Sequence, residues 1–146
     1  MKILKAVITS FLLLQTAVSF AQTKEETIAW IKEKLEKHNS ANEWKIEVLN
    51  VSPCEIYFKT NRNRDWYFTY KFNPSASVWQ SSDGYIKATS GEVIEAFTGT
   101  TSGSEKRTTY ISKLYLNPMD VPDINERFVK ALNHLATFCE KKKETF

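Results

Sequence analysis

Over residues 122–143 the apolar positions Ile124, Phe128, Ala131, Leu132, Leu135 and Cys139 recur at the spacings of one stripe on a 3.6-period helix. Asn125, Glu126, Lys130, Asn133 and Thr137 fall mostly on the other side. A helix this one-sided needs an apolar surface, and the aromatic-rich segments before it supply one, so it is expected to be the lid of a sheet. Its start is placed under either Asp120 or Asp123, and Asp123-Ile124-Asn125-Glu126 has the spacing of a capping box. Residues 23–38 predict a second helix. Thr23-Lys24-Glu25-Glu26 is a capping box, Ile28, Ile31 and Leu35 form a narrow stripe with Trp30 at its margin, and Glu33 and Lys37 stand at the favourable i, i+4 spacing. The remaining Lys and Glu residues read as a solvated face.

From Trp44 the period changes from 3.6 to 2. Residues 44–48, 54–59 and 65–72 alternate, and in the last of these Trp66, Phe68, Tyr70 and Phe72 point one way while Asp65, Tyr67, Thr69 and Lys71 point the other. The link Asn61-Arg62-Asn63-Arg64 predicts an antiparallel hairpin between the second and third strands. Asn73-Pro74-Ser75 breaks the pattern, residues 78–80 form a brief strand, and Ser81-Ser82-Asp83-Gly84 is a turn. Residues 85–89 and 92–98 are expected to form a hairpin about Ser90-Gly91, and residues 107–116 the last strand. The order is helix, six or seven antiparallel strands, helix: an α+β domain whose sheet must curl or split into two packed sheets.

That order resembles the pleckstrin-homology-like superfold, as in small uncharacterised exported bacterial proteins that end in an amphipathic helix and a Lys-rich tail. The resemblance spans residues 44–143 and implies a strongly bent seven-stranded barrel capped by the C-terminal helix. Phosphoinositide binding is not implied, because no basic loop motif of that superfold is matched, and fold does not dictate function.

Residues 1–21 have the pattern of a cleaved signal peptide: Lys2 and Lys5, an apolar stretch containing Phe11-Leu12-Leu13-Leu14, and a Ser19-Phe20-Ala21 cleavage site. Position 22 is Gln rather than the Cys of a lipoprotein. Cleavage leaves residues 22–146 as one domain, periplasmic or extracellular, with no integral membrane segment. The 20 basic residues less Lys2 and Lys5 leave 18 against 17 acidic ones, so the formal charge falls from +3 to +1. Net charge therefore gives no reason to expect a nucleic-acid partner. In an exported chain two cysteines suggest a bridge, here Cys54–Cys139; the alternative is two buried thiols.

Candidate chemistry is sparse. His38 and His134 have no metal-ligand spacing, the glycines are placed in turns, and Ser102 and Ser104 lack a nucleophile elbow, so neither a catalytic residue, a metal site nor a cofactor is expected. His134 is read as a boundary residue of the closing helix. The face of the second and third strands opposite the expected core carries Tyr57, Lys59, Tyr67, Thr69 and Lys71, with Arg62 and Arg64 at the hairpin tip. Aromatics interleaved with cations suit a glycan, a lipid headgroup or an acidic protein surface. The plainer alternative is cross-strand packing of Tyr57 and Tyr67. The expectation is an exported binding domain without chemistry of its own, against a small secreted hydrolase with dispersed site residues, or a structural or inhibitory protein.

Overall fold

The computed structural model describes residues 22–37, 45–61, 65–82, 84–103, 106–115 and 123–140. The leader, His38, Trp44, Arg62, Arg64, Ser104 and the Lys141–Lys143 tail lie outside the described residues. Among the described residues two α-helices, α1 (Lys24–Lys37) and α2 (Ile124–Ala136), flank eight strands: β1 (Lys45–Ser52), β2 (Glu55–Asn61), β3 (Trp66–Phe72), β4 (Trp79–Ser82), β5 (Tyr85–Ala88), β6 (Ile94–Thr100), β7 (Lys106–Ile111) and β8 (Lys113–Leu114). The fold is α+β with a helix at each end. The strands split into two antiparallel sheets, β1-β2-β3-β6-β7 and β4-β5-β8, and neither closes into a barrel.

The capping box of α1 is formed: Thr23 N–H donates to Glu26 Oε2 at 2.8 Å and Glu26 N–H donates to Thr23 Oγ1 at 3.2 Å. Lys37 Nζ lies 2.8 Å from Glu33 Oε1, the expected i, i+4 pair. In α2 the stripe Ile124, Phe128, Ala131, Leu132 and Leu135 is buried, and Asn125 is buried beside it. The second capping box does not form. Asp123 holds the N-cap position with φ −98° and ψ 12°, not the extended backbone that aims a capping carboxylate at the first turn, and its carboxylate lies 4.0 Å from Arg127 instead. The helix also ends earlier than residue 143. Thr137, Phe138 and Cys139 form a turn in which their N–H groups donate to the carbonyls three residues back.

The predicted hairpin between residues 85–89 and 92–98 is not made. β5 pairs with β4 and β8, whereas β6 pairs with β3 and β7. Ser82 pairs with Tyr85, leaving only Asp83-Gly84 between the strands, with Gly84 at φ 76°; a two-residue Asp-Gly link is a strong hairpin former and outcompetes Ser90-Gly91. The single last strand expected over residues 107–116 divides at Ser112, where the chain leaves the first sheet and joins the second.

Trp79 ties the layers together. Its ring is 1% exposed, stands 5.0 Å from that of Phe72 in the first sheet, and donates through Nε1 to Pro74 O at 2.8 Å. Around it one core unites Ile31 and Leu35 of α1, Ile56 and Phe58 of β2, Ile86 and Leu114 of the second sheet, and Phe128, Leu132 and Leu135 of α2. The lid is thus shared: α1 packs on β1, and α2 packs on α1, β4 and β5. Cys54, in the turn between β1 and β2, is bonded to Cys139 just beyond α2, with the Cα atoms 4.9 Å apart. The bridge fastens the end of the lid to the first sheet.

Candidate functional site

Burial in β2 alternates strictly: Ile56, Phe58 and Thr60 are buried, so Glu55, Tyr57, Lys59 and Asn61 face outward. The register of β2, β3 and β6 extends that outward face into a grid of three rows. Tyr57 pairs with Lys71 and Lys71 with Glu95; Lys59 pairs with Thr69 and Thr69 with Phe97; Asn61 pairs with Tyr67 and Tyr67 with Gly99. Thr69 is therefore the short side chain at the centre of longer ones. The result is a groove of about 400 Å³ lined by Tyr57, Tyr67, Thr69, Lys71, Glu95 and Phe97.

Gly99 shapes one wall. It lies within β6 rather than in a turn, and a Cβ built there would come 2.5 Å from both Cζ and Oη of Tyr67. The phenol ring thus lies across the Gly99 backbone, with its centroid 6.1 Å from that of Phe97. A ring in that position requires the strand opposite to carry no side chain.

The charges of the groove are matched. Lys71 Nζ lies 2.9 Å from Glu55 Oε2, and Asn50 Nδ2 donates to Glu55 Oε1 at 2.9 Å. The bond from Asn50, followed by that from Lys71, holds the Glu55 carboxyl below the usual carboxylate range. Correspondingly, the hydrogen bond to Glu55 raises the Lys71 pKa, with Glu95 adding to it. The Lys59 ammonium stands 4.6 Å from the Tyr67 ring centroid and that of Lys71 5.9 Å from Tyr57.

Of the residues expected from sequence, Tyr57, Lys59, Tyr67 and Lys71 are brought together on this face, while Arg62 and Arg64 lie outside the described residues. Glu95 and Phe97 lie outside the set expected from sequence, because β6 pairs with β3 and β7 rather than with β5. The signal was present: Ile94 and Ala96 are the apolar half of an alternating strand, which leaves Glu95 and Phe97 on the opposite face. The expected core face of β3 is graded, from Phe72 at 4% exposed to Trp66 at 36%. His134 is half-buried at the edge of α2, as a boundary residue would be.

Among the described residues no group of His, Cys, Asp and Glu is arranged to hold a metal ion, and no helix is long and apolar enough to cross a membrane. Comparison with protein families, with curated proteins and with solved structures gave no match.

Proposed function

We propose that this protein is an exported domain that binds a neutral glycan segment across the outward face of β2, β3 and β6, and that it acts by binding alone. The observation that carries this reading is the groove itself: three rings, Tyr57, Tyr67 and Phe97, surround Thr69, with Lys71 and Glu95 across from one another. A sugar ring offers apolar C–H faces and a rim of hydroxyls that both donate and accept. It suits flat aromatic walls with hydrogen-bonding groups of both kinds. A lipid phosphate or an acidic protein surface needs a net positive field, and here Lys71 is matched by Glu55 at 2.9 Å and by Glu95 on the neighbouring strand. Lys59 rests near the Tyr67 ring, so a sugar stacked on that ring displaces one flexible lysine. Export is supported by the leader pattern of residues 1–21 and is compatible with the Cys54–Cys139 bond, since disulfides persist in oxidising compartments.

The test is a glycan array probed with labelled wild-type protein and with Tyr67→Ala and Phe97→Ala, each first checked for a native melting transition. Neutral oligosaccharides should be retained by the wild type and lose at least about tenfold in affinity in both variants, the equivalent of one stacked ring. Retention of acidic ligands only, or of neutral ones equally by all three proteins, refutes the reading.

A further inference from the structure

We infer that Gln22 is a modification site: once the leader is removed after Ala21, Gln22 becomes the amino-terminal residue and cyclises to pyroglutamate beside the groove between α1 and α2. This inference rests on the export reading above.

Gln22 immediately precedes Thr23, the residue that caps α1. Its carbonyl oxygen lies 2.7 Å from His134 Nε2, and it shares with Trp30, Arg127, Lys130, Ala131 and His134 the lining of a groove of about 570 Å³. A newly exposed α-ammonium would occupy a poor position. It would stand before the N-terminus of α1, where the aligned peptide dipoles present partial positive charge, and in a groove that already carries Arg127 and Lys130. Of the first-turn carboxylates, Glu26 accepts from Thr23 N–H at 2.8 Å and Glu25 lies 3.3 Å from Lys24 Nζ. Disfavouring the ammonium raises the fraction of neutral amine, which is the nucleophile of the cyclisation.

The step is internally balanced. The α-amine lone pair attacks Cδ of the same residue, the N–Cδ bond forms, the bond from Cδ to the side-chain nitrogen breaks, and that nitrogen leaves as ammonia with the proton the amine gives up. The cleavage before it is hydrolysis of the Ala21–Gln22 bond by a leader peptidase. Cyclisation keeps what the fold uses at this position, namely the Gln22 carbonyl held by His134 and the Thr23 N–H held by Glu26. It leaves a neutral, blocked terminus against the helix pair.

The experiment is mass spectrometry of the amino-terminal peptide from exported protein, sampled directly from an acid-quenched culture. The expected peptide begins at residue 22, is lighter than the encoded one by one ammonia, and is opened by a pyroglutamyl peptidase. A Gln22→Ala variant, exported in parallel, should carry a free amine and yield to an ordinary aminopeptidase. A peptide beginning at Gln22 with a free amine overturns the modification while leaving export standing; a peptide beginning elsewhere overturns both.

Discussion

Asn133 of α2 holds the backbone of Trp79 by both ends of its amide: Oδ1 accepts the Trp79 N–H at 3.0 Å, and Nδ2 donates to the Trp79 carbonyl at 3.1 Å. The side chain thereby stands in for a neighbouring strand along β4, whose other ladder partner is β5. Removing it leaves two half-buried backbone groups without that partner, so Asn133→Ala should cost about 1–3 kcal/mol in denaturant unfolding. Asn133→Asp should cost more near neutral pH, because it sets a carboxylate oxygen against the Trp79 carbonyl. Stability equal to wild type in both variants would show that the helix docks through its apolar stripe alone.

Gly99 and Tyr67 should behave as a coupled pair. Gly99→Ala places a methyl group 2.5 Å from the phenol ring and should destabilise the domain by about 1–3 kcal/mol, the range expected for overpacking. In the Tyr67→Ala background the same substitution should cost clearly less, since the 2.5 Å clash is gone, only the 3.0 Å approach to Phe97 Cε1 is left, and Gly99 has no positive φ to penalise alanine. A double-mutant cycle measures the coupling, and additivity of the two changes would remove the ring from the Gly99 backbone.

How much of this was legible in the sequence follows from how far apart the interacting residues lie. The Thr23–Glu26 box, the Glu33–Lys37 pair and the stripe from Ile124 to Leu135 are spacings within a single helix, and each is present in the fold. The outward set Tyr57, Lys59, Tyr67, Thr69 and Lys71 was likewise readable, because a two-residue period and a short link determine both strands of a hairpin. Pairing across longer separations was not. The choice between β4 and β6 as partner of β5 depends on competing turns. The transfer of the chain between sheets at Ser112 has no local signature, and with it went Glu95, Phe97 and the structural need for Gly99. The hold of Asn133 on Trp79 was invisible for the same reason, because it spans 54 positions.

The Cys54–Cys139 bond closes a long loop, with a sequence separation of 85. On the chain-entropy view the freedom that the bond removes from the unfolded chain stabilises the fold by roughly 4–5 kcal/mol, before any native strain is subtracted. Thiol titration of the denatured, unreduced protein should find neither cysteine reactive, and prior reduction should expose both and lower Tm. Two reactive thiols without reductant would contradict the bond.

The groove also predicts an acid limb in stability. The Glu55 pKa is lowered by its bonds from Asn50 and Lys71, so its contribution is fully present above the unfolded value of about 4.3 and is lost as pH falls through the lower folded value. Lys71 has the opposite sense: its raised pKa gives stability that is present below about 10.4 and disappears as pH rises through the folded value. Glu55→Gln should therefore be less stable than wild type at neutral pH and converge with it at strongly acid pH. Parallel stability–pH curves would mean that the pair contributes nothing, as many exposed pairs do.

The most direct measurement is a titration of the isotope-labelled domain with a neutral oligosaccharide selected on the array, followed by amide chemical shifts. Glycan binding on the outward sheet face predicts concentration-dependent shifts clustered at Tyr57, Tyr67, Thr69, Lys71, Glu95 and Phe97, and their loss in Tyr67→Ala. Shifts confined to the helix groove around Trp30, Arg127 and His134, or none at the highest soluble concentration, would contradict it.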